Sequence, residues 1–167
     1  MKWSDVNEST LMSAEHGGSS TQSDAWLLCR TGTRLCALPL DHVIEIMRVL
    51  PIEPISGAPH FVRGLSIIRG SPVPVIDTGK LFGEQETRSA RLVTIRVGDR
   101  TVAFAVDEVL GVRAIETDVV VTLPPLLRDA GGALSAIGTL DAELLLFMNA
   151  ARIVPDALFD DLSGAAA

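Results

Sequence analysis

Asp77 is the residue of this chain whose neighbours most resemble a catalytic motif. The tripeptide Asp77-Thr78-Gly79 occurs once, after a short apolar run, and matches the active-site loop of an aspartic protease. Acid proteolysis requires two carboxylates that share one proton about 3 Å apart, so only a homodimer could supply the pair. Alternatively, Asp77 begins a short helix, because its side chain can accept from the exposed N–H groups of a first turn. We expect the helix cap and keep the dimeric protease as the one concrete enzymatic hypothesis.

The other residue types that support catalysis or metal binding do not form a recognisable site. The histidines, His16, His42 and His60, lack the short spacing of metal ligands. The glycine pairs at 17–18 and 131–132 lack the Gly-Lys-Ser/Thr sequence of a phosphate-binding loop. No serine lies in a G-x-S-x-G motif. We therefore predict no catalytic residue, no metal and no cofactor.

The two cysteines do not indicate a disulfide framework or a zinc site. Cys29 and Cys36 flank Gly32-Thr33, and a two-residue turn there would place them directly opposite each other on a hairpin. We predict free thiols that pack as small hydrophobic side chains in a reducing compartment.

Composition predicts a globular, acidic, cytoplasmic protein. Hydrophobic residues make up 47% of the 167 residues and the mean hydropathy is +0.34, which excludes disorder throughout. No apolar run reaches the roughly 18–20 residues that span a bilayer, and the first residues lack the apolar segment of a secretory signal. The net charge of −7 and the absence of a basic cluster argue against nucleic acid and anionic lipid as partners.

Turn signals alternate with short runs of Val, Ile and Leu between residues 25 and 160, which is typical of small β-barrels or sandwiches. The first 24 residues are rich in Ser, Thr, Glu and Gly, and we expect a disordered tail there. Residues 161–167 are expected to be a loose C-terminus. Short helices are predicted at four places: 59–63, 78–82, 149–153 and 155–160.

A weak internal repeat divides the predicted domain into two similar units. An offset of 66 residues places Gly32 on Gly98 and aligns the apolar positions that follow. An offset of 72 places the turn at Arg69 on Asp141, and Asp77 on Asn149. We predict two similar five-stranded units by duplication, at about 25–83 and about 90–150, with exchange of strands between them possible.

The chain resembles the CheW family of chemotaxis coupling proteins over about residues 25–153. The resemblance is carried by the order and spacing of a hairpin strand, a Val-x-Glu-Ile strand, a Pro-rich link, an Arg-Gly turn and a strand that ends in Val-Asp-x-Val. The stretches that match are LCALPLDHVIEI (35–46), PHFVRGLSIIRGSPVPVID (59–77), LFG (81–83) and TVAFAVDEVLGV (101–112).

The resemblance implies an all-β fold of two intertwined five-stranded SH3-like barrels. It also implies a non-catalytic adaptor that binds two partners, the cytoplasmic hairpin of methyl-accepting chemoreceptors and the regulatory domain of the histidine kinase CheA. Such an adaptor is recruited to receptor clusters at the inner face of the membrane without inserting into it. An alternative is a CheW-like module that competes with or spaces the partners without activating the kinase.

The family pattern also assigns candidate receptor-binding residues to this sequence. They lie on the Val-x-Glu-Ile strand, at the start of the next strand and at the Arg-Gly turn: Val43, Glu45, Ile46, Gly64, Arg69 and Gly70. A receptor tip is a helical hairpin, and an apolar groove between the two barrels would accept its ridge. Arg69 would offer a planar fork of donors to carboxylates or carbonyls of that helix.

Overall fold

The computed structural model describes residues 24–84, 88–116, 120–122, 134–149 and 160. Residues 1–23 of the predicted tail and residues 161–167 lie outside these ranges. The strands are β1 (Asp24–Thr31), β2 (Arg34–Pro39), β3 (Val43–Arg48), β4 (Val62–Ile68), β5 (Ser71–Asp77), β6 (Arg91–Val97), β7 (Arg100–Val106), β8 (Glu108–Ile115), β9 (Val120–Thr122), β10 (Leu134–Leu140) and β11 (Glu143–Met148).

The strands form two sheets, which confirms the all-β prediction. Sheet 1 has the order β8-β1-β2-β11-β10-β9, and sheet 2 has the order β3-β6-β7-β5-β4. Each sheet contains strands from both halves of the chain, because β1 and β2 pair within sheet 1 while β3, β4 and β5 lie in sheet 2. The predicted domain bounds stay a prediction, but the two sheets are intertwined in sequence.

The topology reveals the internal repeat. The offset of 66 residues carries β1, β2 and β3 onto β6, β7 and β8, and the offset of 72 carries β4 and β5 onto β10 and β11. If each strand of sheet 2 is replaced by its equivalent, the order β3-β6-β7-β5-β4 becomes β8-β1-β2-β11-β10, which is sheet 1 without β9. The two sheets therefore share one five-stranded plan in which three strands are exchanged.

The register of the strands repeats along with their order. In the parallel pairs, Val75 lies opposite Ala103 in sheet 2, and the equivalent Phe147 lies opposite Ala37 in sheet 1. The irregularity between positions 62 and 64 of β4 recurs between positions 134 and 136 of β10. A β-bulge is specified by local sequence and tends to be retained, so its recurrence at the same place supports duplication.

The core consists of one apolar layer between the sheets and one cluster within each sheet. On β7, Val102 and Phe104 pack in the layer between the sheets, whereas Ala103 and Ala105 pack in the cluster of sheet 2. The central strands β2 and β7 are therefore buried on both faces, which explains why their sequences are nearly continuous apolar runs. Burying both faces fixes these strands and leaves the edges and turns available for contacts.

Few residues of the described chain are helical. The prediction at 78–82 is confirmed by the short helix α1 (Thr78–Leu81), and a 3-10 turn covers Leu40–His42. The prediction at 59–63 is wrong, because Val62 is already in β4 and pairs with Ile76. The predictions at 149–153 and 155–160 fall almost entirely outside the described residues.

Candidate partner-binding surface

Asp77 is a structural residue at the start of α1. Its carboxylate accepts a hydrogen bond from the backbone N–H of Lys80 at 3.1 Å, as a helix cap does. The other oxygen accepts from Nε of Arg63 at 2.9 Å. The side chain is 1% exposed, so it could not share a water with a second carboxylate across a substrate cleft. The predicted cap is confirmed, and the geometry does not support the protease hypothesis.

The Val-x-Glu-Ile strand β3 lies at an edge of sheet 2 and presents its side chains to different surroundings. Val43 is half-buried and packs against the layer between the sheets. Ile44 and Ile46 are each 45% exposed. A bulge in the β3–β6 pairing lies between Val43 and Glu45. Because of this arrangement, β3 offers two apolar side chains to a partner without breaking the core.

The carboxylate of Glu45 is held by the Arg69 guanidinium through two hydrogen bonds. Nε of Arg69 donates to one oxygen at 3.0 Å and Nη2 donates to the other at 2.6 Å. This hydrogen bonding holds the pKa of Glu45 below its ordinary value. Since β3 and β4 are the opposite edges of sheet 2, the pair joins the β4–β5 turn to the far edge.

The backbone around this ion pair is fixed on both sides. The hydroxyl of Thr94 accepts from the N–H of Glu45 at 3.1 Å and lies 3.2 Å from its carbonyl oxygen, which anchors the bulge. Arg69 and Gly70 form the hairpin turn with φ of 50° and 80°. Positive φ at both central residues is the conformation of a type I′ turn. Gly70 therefore serves the turn that positions the Arg69 side chain.

An open groove of about 520 Å³ lies beside the ion pair. Its lining combines apolar, hydroxyl and charged residues: Ile44, Glu45, Ile68, Arg69, Ser71, Pro72, Val73, Pro74, Thr94, Arg96, Asp99, Arg100 and Thr101. All of these residues belong to sheet 2 and its turns. The groove is thus not the expected one between the two barrels, but it brings Glu45 and Arg69 together with an exposed apolar edge.

Gly64 is buried and does not line this groove. Its φ is +146°, and a Cβ there would lie 1.9 Å from the carbonyl oxygen of Glu53. That carbonyl accepts from the N–H of Leu65 at 2.8 Å in an isolated bridge. Gly64 therefore permits close approach of the Pro-rich link, and a role in receptor binding stays a prediction.

Three residues of this surface were missed by the sequence reasoning. Ile67 is 63% exposed on β4, and both Ile44 and Arg96 line or border the groove. Strand alternation could have indicated Ile44 and Ile67, because each follows a residue whose side chain faces the opposite side. The position of Arg96 depends on the pairing of β6 with β7, which no local motif reports.

The cysteines and histidines have structural surroundings. Cys29 and Cys36 are directly opposite each other, as predicted, and both are free and fully buried. Burial raises the pKa of the Cys29 thiol to about 12. Within residues 24–84, 88–116, 120–122, 134–149 and 160, no cluster of His, Cys, Asp and Glu fits a metal ion. The same residues include no helix long and apolar enough to cross a membrane.

Together, the fold and the surface define an all-β module whose accessible features are a groove, an ion pair and exposed apolar side chains. The family model of the CheW-like domain matches residues 25–158. The chain therefore belongs to the CheW family of chemotaxis scaffold proteins, and like them it is a non-catalytic adaptor.

Individual relatives agree with this assignment. The chain is 27% identical over 124 residues to the chemotaxis protein CheW of Thermotoga maritima, covering 72% of this chain and 80% of that protein. It is 27% identical over 135 residues to protein FrzA of Myxococcus xanthus, covering 77% and 83%. The crystal structure of scaffolding protein TtCheW from Thermoanaerobacter tengcongensis superposes with a TM-score of 0.68 at 22% identity, covering 76% of this chain and 89% of that one. At that identity, the structural match supports the fold.

Proposed function

We propose that this adaptor couples the cytoplasmic hairpin of a chemoreceptor to the regulatory domain of the histidine kinase CheA. The observation that carries the proposal is the Glu45–Arg69 ion pair at the rim of the sheet 2 groove, beside Ile44. An apolar edge with a charged fork suits the ridge of an amphipathic helix. The adaptor acts in the cytoplasm, at receptor clusters on the inner face of the membrane, and uses no cofactor, nucleic acid or membrane insertion.

The receptor contact is assigned to Arg69 because its side chain is 78% exposed although it is paired with Glu45. Three of the guanidinium N–H groups are not needed for the two bonds to Glu45. Arg69 can therefore hold its own strand and still donate to a receptor helix. Val43 and Gly70 support this surface through packing and turn geometry, and Ile46 extends it along β3.

The test is binding of the wild-type chain to a receptor hairpin and to CheA from the same organism. Arg69→Glu places two carboxylates together, so we expect loss of receptor binding with CheA binding retained. Asp77→Asn is the control, because an asparagine still caps α1 and the residue is far from the proposed contact in function. Failure of the folded wild-type chain to bind either partner would contradict the proposal.

A charge swap separates direct contact from positioning. The double variant Glu45→Arg/Arg69→Glu restores an ion pair across the same two positions with reversed polarity. If Arg69 donates to the receptor, the swap restores stability but not receptor binding. If the pair only positions the turn, the swap restores both, and the assignment of Arg69 as a contact is wrong. Kinase activity in the reconstituted complex then distinguishes coupling from a module that only competes for partners.

A further inference from the structure

The internal repeat identifies an arginine in the groove that lacks the counter-ion of its equivalent. In sheet 1, Arg30 pairs with Glu143, with both terminal nitrogens 3.2–3.3 Å from its carboxylate oxygens. The equivalents in sheet 2 are Arg96 and Ser71, which both line the groove. Serine carries no charge, and no carboxylate of the described residues pairs with Arg96. The groove thus keeps a cationic position in a protein whose net charge is −7.

The C-terminal end of the chain reaches this side of the groove. Asp160 lies with its carboxylate 3.6 Å from Nη2 of Arg100, another residue that lines the groove. Asp160 follows the end of β11 at Met148 by twelve residues. The sequence after β11 is acidic, with Asp156 and a pair of aspartates at 160–161 against a single arginine. Its charge therefore complements the arginine side of the groove.

We propose that the acidic C-terminal segment, held through Asp160 at Arg100, covers the arginine side of the sheet 2 groove and competes there with an acidic partner. This inference rests on the proposed function only for the identity of that partner. The segment acts as an internal competitor of the groove, and a receptor helix that carries carboxylates displaces it.

Weak contacts are sufficient for this device because the segment is tethered to the groove. A short flexible tether gives effective concentrations of about millimolar. A single exposed ion pair contributes only about 0–1 kcal/mol, so the cover is populated but readily displaced. The interaction is electrostatic and exposed, and salt at about 0.5 M, where the Debye length is about 4 Å, will weaken it.

The first experiment detects the cover without any partner. A nitroxide is attached at Ser163→Cys, and the native thiols do not react because Cys29 and Cys36 are fully buried. We expect broadening of the amide signals of Arg96 and Thr101, but not of their sheet 1 equivalents, Arg30 and Leu35. The broadening is expected to fall in about 0.5 M salt.

Substitutions and mixing identify the occupant. Asp160→Asn should remove most of the broadening, whereas Asp161→Asn, a matched loss of one charge at the next position, should leave most of it. Absence of broadening at Arg96 in the wild-type chain overturns the proposal. Broadening that appears only between a nitroxide-labelled copy and a separate isotope-labelled copy also overturns it, because the occupant is then a second chain.

The second experiment measures competition with a receptor hairpin. Removing the Asp160 contact should strengthen hairpin binding about two- to fivefold, as expected for loss of one exposed ion pair, with a smaller effect of Asp161→Asn. Equal binding of wild type and Asp160→Asn overturns the competition. If no variant binds the hairpin, the proposed receptor function fails, while the broadening experiment still decides whether the cover exists.

Discussion

The two hairpin turns that the repeat makes equivalent carry opposite charges on the same backbone. In sheet 2, Arg69 of the β4–β5 turn makes two hydrogen bonds to Glu45 of edge strand β3. In sheet 1, Asp141 of the β10–β11 turn lies 3.5 Å from Arg113 of edge strand β8. Both turns have two consecutive residues with positive φ. The duplicated frame therefore links turn to edge strand twice, with the polarity reversed.

The two links differ in how firmly they are held. The position equivalent to Glu45 is Gly111, so the sheet 1 partner comes from two residues further along the strand. The Arg113 and Asp141 side chains are 53% and 76% exposed, whereas the Glu45 side chain is 24% exposed. Sheet 2 thus retains a fixed, bidentate pair beside a groove, and sheet 1 has a loose surface contact. This difference supports sheet 2 as the side that recognises a specific partner.

The largest expected effect comes from Gly64, whose equivalent in sheet 1 is Ala136. Gly64→Ala brings a Cβ to 1.9 Å from the backbone oxygen of Glu53, so the link to Leu65 must shift. We expect a loss of about 3–4 kcal/mol in the free energy of unfolding, measured in urea. The matched change Ala136→Gly should cost only about 0.5–1 kcal/mol. Equal losses at the two positions would show that the close approach is not the cause.

The second prediction concerns Asp77, whose equivalent is Asn149. Asp77→Ala removes the cap of α1 and leaves Arg63 without this carboxylate, for an expected loss of about 2–3 kcal/mol. Asp77→Asn keeps a capping oxygen, and we expect about half that loss in the same urea titration. A loss for asparagine as large as for alanine would mean that the charge, rather than the cap, stabilises this site.

These comparisons explain which features the sequence could predict. The hairpins, the cap at Asp77 and the repeat depend on residues within a few positions of each other, so local spacing indicates them. The Glu45–Arg69 pair joins residues 24 positions apart on opposite edges of a sheet. Its existence depends on the order of five strands, which no single motif encodes.

The incorrect helix at 59–63 has a related cause. The segment begins with a turn in which the N–H of Val62 donates to the carbonyl of Pro59 at 2.9 Å. A single turn of that kind resembles the start of a helix in sequence, but Val62 then pairs with Ile76 in β4. Tertiary pairing overrides the weak local preference. The location of the groove within sheet 2 similarly required the three-dimensional arrangement.

A third prediction uses pH to measure the tighter of the two turn links. The folded-state pKa of Glu45 is lowered by the hydrogen bond from Arg69, so this pair stabilises the protein above the ordinary glutamate pKa of about 4.3. The contribution is lost as the pH falls through the lowered folded-state pKa. We expect Glu45→Gln to destabilise the protein at neutral pH and the difference from wild type to vanish in acid. A difference that grows towards acid pH would contradict this assignment.

The smallest expected effect is at the looser link in sheet 1. Arg113→Ala removes one exposed contact of 3.5 Å, and we expect a change within about 0.5 kcal/mol in the free energy of unfolding. Because no bidentate geometry is lost, receptor binding should also stay unchanged. A double-mutant cycle with Asp141→Ala measures the coupling directly. Coupling as strong as that between Glu45 and Arg69 would mean that both turns are fixed alike, and the specialisation of sheet 2 would then depend on its groove alone.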